Sequence, residues 1–199
     1  AEIATLLQGA AGIDCLSLRD SLFRELSGVA APTGIAAVID IPQAPAELSP
    51  GDAVLLDAVQ DAGNVGAILR TVAAAGVRNV LLGPGCAGAW TARALRGGQG
   101  AHFFLAIREQ ADLLAALATG PATPVATVAH GGTSLYDLDL GGPVFWLVGN
   151  EGAGLSAELV AAAKLRATIP LAAGTESLNV AAAVAVCLFE ANRQRSATR

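Results

Sequence analysis

The chain predicts an α/β fold, a mostly parallel sheet with helices on both faces. From Ala53 onward, short apolar runs of strand length alternate with stretches patterned at helical spacing, as expected of strands buried on both sides. Polar, glycine-bearing segments break this pattern three times: QDAGNVGAILR (Gln60 to Arg70), LVGNEGAGLS (Leu147 to Ser156) and GTESLNV (Gly174 to Val180). Three such interruptions suggest one composite site. No segment repeats at a fixed period.

Residues 1–41 carry a helical stretch, Ser17 to Leu26, and an apolar strand-like run, Ile35 to Ile41. Pro42, Pro45 and Pro50 then punctuate DIPQAPAELSPGD, read as a linker over residues 42–52. Residues 53–199 form the main domain. Strands are expected at Ala53–Leu56, Asn79–Leu82, Phe103–Ile107, Val125–Val128, Val144–Val148 and Ala167–Ile169. Helices are expected at Val65–Ala75, Thr91–Leu95, Gln110–Ala118, Ala157–Ala163 and Leu178–Arg193.

Composition narrows the class. The 199 residues are 53% apolar and 15% charged, and no apolar run approaches the roughly 20 residues of a membrane span. Cys15, Cys86 and Cys187 are far apart and form no CxxC, which predicts reduced core thiols in a cytoplasmic protein. With only His102 and His130, no metal site is expected. The chain has no methionine and begins at Ala1, so residue 1 is not expected to be the natural start. A net charge of −5 weighs mildly against nucleic acid, yet all but one of the 12 basic residues are arginine, suited to bidentate phosphate contacts. Arg93/Arg96 and Arg193/Arg195/Arg199 form two local groups.

The residues alone give each polar segment a bland role. Asn64 reads as the cap of the first main-domain helix, with Val65, Ile68, Leu69, Val72 and Ala73 as its core stripe and Arg70 off that stripe. Gly149-Asn150-Glu151-Gly152 reads as a tight turn. Ser177 and Asn179 read as caps of the last helix, on a turn expected to be buried and in need of polar partners. The last helix carries Val180, Val184, Cys187, Leu188 and Ala191 on one face. Ala181, Ala182, Ala185, Val186 and Phe189 widen its apolar surface, and a homodimer is expected from that excess.

Together, Asn64-x-Gly66-x-x-x-Arg70, WTARALRGGQGAHF (Trp90 to Phe103), Gly149-Asn150-Glu151-Gly152 and Ser177-Leu178-Asn179 resemble the SpoU-type branch of the SPOUT RNA ribose 2'-O-methyltransferases, in order and over about Asp52 to Arg195. The resemblance implies an S-adenosylmethionine-dependent enzyme acting on a ribose 2'-hydroxyl in rRNA or tRNA. It implies a deep C-terminal trefoil knot and dimerisation through the knotted region. Residues 1–41 would then be the remnant of a small α/β RNA-binding domain. It further implies Arg70 at the ribose hydroxyl, as electrostatic stabiliser or as base, with Asn64, Glu151, Ser177 and Asn179 in the active centre. Main-chain contacts to the cofactor would come from Gly149, Ile169 and Leu178.

Two other readings compete. Gly83-Pro84-Gly85-Cys86-Ala87-Gly88 is a formal G-x-G-x-x-G with Glu109 about twenty residues on, as in an NAD(P)-binding Rossmann protein. The expected short helix after it, cut off by Gly97-Gly98, speaks against that reading. The other is a catalytically inert RNA-binding SPOUT module, against which the intact Asn64, Arg70, Ser177 and Asn179 argue.

Overall fold

A computed structural model describes residues 2–9, 12–27, 31–45 and 47–197. Residues 1–41 form one compact unit and residues 42–199 another. The first holds helices α1 (Glu2–Gly9) and α2 (Asp20–Ser27). The run Ile35–Ile41 is exposed coil rather than a strand, because no other strand lies among the unit's described residues to pair with it.

In the second unit seven parallel strands form one sheet. They are β1 (Ala53–Leu56), β2 (Asn79–Leu82), β3 (Ala106–Arg108), β4 (Thr123–Thr127), β5 (Thr133–Ser134), β6 (Val144–Val148) and β7 (Leu165–Thr168), in the order β3-β2-β1-β6-β4-β7-β5. Helices α3 (Ala62–Ala74), α4 (Ala92–Gly98), α5 (Leu113–Thr119), α6 (Ala157–Ala162) and α7 (Val180–Ala197) connect them.

Strand alternation builds two cores. Val54, Leu56, Val80, Leu82, Trp146 and Val148 face α3 and α7, whereas Ala53, Leu55, Leu81, Phe145 and Leu147 face Leu113 of α5 and Leu159 of α6. Helices therefore cover both faces, as the continuous apolar strands require. Each fully buried leucine or phenylalanine side chain stabilises this arrangement by about 1.5–3 kcal/mol.

At the amino ends of the strands, polar side chains tie distant segments together. Asn79, 1% exposed, brackets Ser49 by exchanging hydrogen bonds with its backbone at 2.8 and 3.0 Å, and also donates to the Asp52 carbonyl. Residues 42–52, expected as a linker, thus lie within the second unit. Asp52 accepts the Val144 N–H at 2.9 Å and both guanidinium nitrogens of Arg195 at 2.8 and 3.1 Å. Arg195 also donates to the Leu140 and Gly142 carbonyls. Arg193 is paired with Glu190, whose carboxyl is held down to about 2 by hydrogen bonds from Arg193 and Gln194 against the opposing effect of burial. Arg199 lies outside the described residues.

The expected strand Phe103–Ile107 is a correction. Ala101–Phe104 is a 3-10 turn, and β3 begins only at Ala106. Gly100, at φ +83°, turns the chain so that His102 is buried and donates from Nε2 to the Ala89 carbonyl at 2.8 Å, which leaves Phe103 and Phe104 pointing outward. The thiols also differ from expectation: Cys15 is exposed, Cys86 is intermediate and only Cys187 is buried. Among the described residues, no helix is long and apolar enough to cross a membrane.

Candidate active site

Because all strands run parallel, their carboxyl ends share one edge, where open α/β sheets place ligands. The three polar segments follow β1, β6 and β7, so each begins at that edge.

The loop after β6 is shaped by glycine and asparagine. Gly149 is buried, and a Cβ there would collide with the backbone of Gly154 and Leu155. The backbones of Asn150 and Gly154 exchange two hydrogen bonds of 3.0 Å. The Asn150 side chain takes the N–H groups of Gly152 and Ala153 at 2.9 Å each and donates to the Ala58 carbonyl at 2.8 Å. Asn150 therefore fixes the loop to the segment after β1. Sequence reading gave it no role of its own, although asparagine between glycines is turn chemistry that could have marked it.

That loop directs Glu151 toward α3. Its carboxylate accepts the Asn64 side-chain amide at 2.9 Å and, more loosely, the N–H groups of Gln60 and Asp61 at 3.3 and 3.4 Å. Asn64 is not the helix cap. Asp61 caps α3, accepting the Asn64 N–H at 2.9 Å, so the Asn64 side chain is free to bridge. Its Oδ1 accepts the Asn179 amide at 3.0 Å, while Asn179 Oδ1 takes the N–H groups of Ala181 and Ala182 at the start of α7. Burial acts to raise the Glu151 pKa, but the amide of Asn64 and backbone N–H groups outweigh it and hold the carboxyl below its ordinary value. Glu151 is thus an anion at neutral pH.

The structure brings Asn64, Glu151 and Asn179 into one hydrogen-bonded chain linking segments from three strands. Arg70 is exposed on α3, and its side chain has no hydrogen-bond or ion-pair partner among the described residues. Ser177 is likewise exposed and unpaired on the same terms. Residues 172–179 are all exposed, so the turn expected to be buried lies at the surface. Ile169 is partly buried against the main core, and Leu178 is 39% exposed. A close-folded Gly149 loop, an exposed leucine and accessible main chain over residues 172–178 fit an adenosine-bearing ligand, which needs an apolar contact and backbone hydrogen bonds.

The glycine-rich Gly83–Gly88 segment does not open a nucleotide-binding helix. Helix α4 starts later, capped by Thr91, and has seven residues. Glu109 accepts the Ala89 N–H at 2.7 Å, so it serves its own loop. The described residues contain no group of three or more His, Cys, Asp and Glu able to hold a metal ion. Cavities of about 430 and 590 Å³ lie elsewhere, the first against Asp52, Arg78 and Arg195 at the amino edge and the second against Arg78, Phe103 and Phe104. Neither touches an expected site residue.

The SpoU rRNA Methylase family profile matches residues 52–189. The chain is 35% identical over 181 residues to the 23S rRNA (guanosine(2553)-2'-O)-methyltransferase RlmP of Bacillus subtilis, covering 89% of this chain and 72% of that protein. It is 37% identical over 145 residues to a tRNA/rRNA methyltransferase of Synechocystis, covering 71% of this chain and 53% of the relative. The SpoU methyltransferase AviRb from Streptomyces viridochromogenes, solved with AdoMet, superposes with a TM-score of 0.86 at 27% identity, over 99% of this chain and 80% of that one.

Proposed function

The chain belongs to the SpoU rRNA methylase family, and from that premise we propose that it methylates a ribose 2'-hydroxyl of ribosomal or transfer RNA with Arg70 at the reacting oxygen. The chemistry is S-adenosylmethionine-dependent 2'-O-methylation. S-adenosylmethionine supplies a methyl carbon bonded to a sulfonium, a good leaving group, so no covalent enzyme intermediate is needed. Held by Gly149, Ile169 and Leu178, it would supply the methyl group to the ribose oxygen, with its sulfur as the leaving group and the hydroxyl proton released to solvent.

The observation that carries the assignment of residues is the Glu151–Asn64–Asn179 chain, with the unpaired Arg70 on the same helix as Asn64. A guanidinium has no acceptor and stays charged, so Arg70 is suited to stabilise negative charge developing on the oxygen. Asn64 and Asn179 orient the ribose, held in turn by the Glu151 anion, and Ser177 adds a hydroxyl beside them. Gly149, Ile169 and Leu178 cradle the cofactor.

The chain spans about half the length of the Synechocystis relative, and the particular RNA belongs to this proposal. So does the homodimer. Phe189 is 50% exposed and Ala182 is exposed on α7, while Ala181 and Val186 pack partly against the main core, so the uncovered apolar strip is narrower than the sequence suggested. We extend the same reading to the C-terminal knot and to an RNA-binding role for residues 1–41. The decisive experiment incubates the protein with labelled S-adenosylmethionine and bulk RNA, and maps 2'-O-methyl sites in ribosomal and transfer RNA from a strain lacking the protein. Transfer to RNA and loss of one 2'-O-methyl site are expected. An unchanged methylation map together with no transfer would remove the reading.

A further inference from the structure

We propose that Arg93, Arg96 and Phe103 form a docking edge for a single-stranded stretch of the RNA substrate beside the candidate active site, an inference that rests on the methyltransferase reading. Helices α3 and α4 meet backbone to backbone. A Cβ on Gly66 would strike the Ala94 carbonyl and sit 3.0 Å from Gly97 Cα, and one on Gly97 would lie 3.3 Å from the Gly63 carbonyl. The close approach is made at these glycines, and Arg93 and Arg96 of α4 lie at the surface. Arg93 leans over Gly63, where an added Cβ would lie 3.3 Å from its Nε. Its guanidinium ends 2.7 Å from Asp61, the cap of the helix that carries Asn64.

Arg93 remains 70% exposed in that pair, and Arg96, one turn further on, is exposed with no ion pair among the described residues. Gly63, Gly66 and Arg70 fall at i, i+3 and i+7, so Arg70 emerges on the α3 face that meets α4. Helix α4 contains no acidic residue, and this clustering occurs in a chain of net charge −5. Beyond the helix, Phe103 stands edge-on to Trp90 at 6.5 Å between ring centroids, yet it is 62% exposed. Trp90 fixes the ring and leaves its outer surface bare. Planar cations on α4 and an uncovered aromatic ring held by Trp90, the residue before the α4 cap, match the two demands of an unpaired RNA strand, phosphate pairing and base stacking. An RNA phosphate would take Arg93 from Asp61, exchanging one anion for another.

The test is fluorescence anisotropy of the full chain with a labelled single-stranded RNA of about twelve nucleotides, at roughly 50 to 200 mM salt. The double variant Arg93→Ala/Arg96→Ala should bind about tenfold more weakly, with a salt slope shallower by about 1.4. Phe103→Ala should weaken binding about tenfold at an unchanged slope. Asp61→Asn, which preserves a good helix cap, should tighten binding severalfold by releasing Arg93. Calorimetric heat with S-adenosylmethionine, equal in all variants, shows that the fold and cofactor site are intact. RNA binding unchanged in the double and Phe103 variants, none by the parent at about 100 µM, or displacement by polyglutamate as readily as by unlabelled RNA would overturn the docking edge. Absence of S-adenosylmethionine heat in the parent would instead overturn the methyltransferase reading.

Discussion

At the amino edge of the sheet Asp52 joins β6, through Val144, to the end of α7, while at the carboxyl edge Glu151 joins the loop after β6 to α3 and, through Asn64, to the start of α7. Both are carboxylates that bind segments remote in sequence. Asp52 is 9% exposed, and the arginine it holds is engaged by two further carbonyls. Glu151 is exposed, two of its three contacts are 3.3 Å or longer, and Arg70 and Ser177 have no side-chain partner among the described residues. On the proposed reading, the difference separates fastening from function. A saturated polar cluster holds the fold, whereas a partly open one keeps hydrogen-bonding capacity for a ligand.

Four measurements press on that contrast. Arg70→Ala should lower methyl transfer at least about a hundredfold while S-adenosylmethionine affinity stays within about twofold and the melting temperature is unchanged, since the exposed side chain has no partner among the described residues. Near-normal turnover would take Arg70 out of the mechanism, and a large melting shift would erase the distinction between the edges. Asp52→Ala should do the reverse. Leaving the Val144 N–H unpaired and Arg195 without its carboxylate, held only by the Leu140 and Gly142 carbonyls, costs about 3 kcal/mol, a fall in melting temperature of about 6–12 °C, with turnover retained below the transition. Thermal melts and initial rates on the same sample decide it.

Glu151→Gln should reduce turnover about tenfold with little change in melting, because the amide keeps contact with Asn64 but loses the charge that strengthens it. Its pH dependence has a definite sign. A carboxyl depressed below its ordinary 4.5 contributes stability above that value and loses it as pH falls through the folded pKa, so any gap between parent and Glu151→Gln melting should close in acid. A gap that widens on acidification would contradict the hydrogen-bonded chain. The smallest effect is thiol reactivity. Cys15 should react first with a disulfide reagent, Cys86 slowly because burial raises its pKa, and Cys187 only on unfolding because burial pushes it up to about 12.

The sheet was readable where strands are long apolar runs ending in turn residues: β1, β2 and β6 begin and end where the sequence indicates. Strand β5 has two residues, too few to show a period. The aromatic pair Phe103–Phe104 read as strand because ring content favours strands, while the positive φ at Gly100 that rotates both rings outward leaves little trace in composition. The candidate site was legible as three polar segments, since parallel strands bring their carboxyl ends together. Its wiring was not. Asn64 is a good cap by type, and only the placement of Asp61 three residues earlier shows that its side chain is available to bridge Glu151 and Asn179.

The central position of β6 has a further consequence while the chain is being made. Val144 reaches Asp52 across 92 residues of sequence, and a ribosome adding about 5–20 residues per second needs on the order of 5 to 20 seconds to cover that interval. Once Asn79–Leu82 is made β1 can pair with β2, but its other edge waits for a partner, and Val54 and Leu56 on one side and Ala53 and Leu55 on the other are without the strand that completes both cores. Neither hydrophobic layer can close until Val144–Val148 has emerged, so the timing of translation sets when this protein first becomes a folded one.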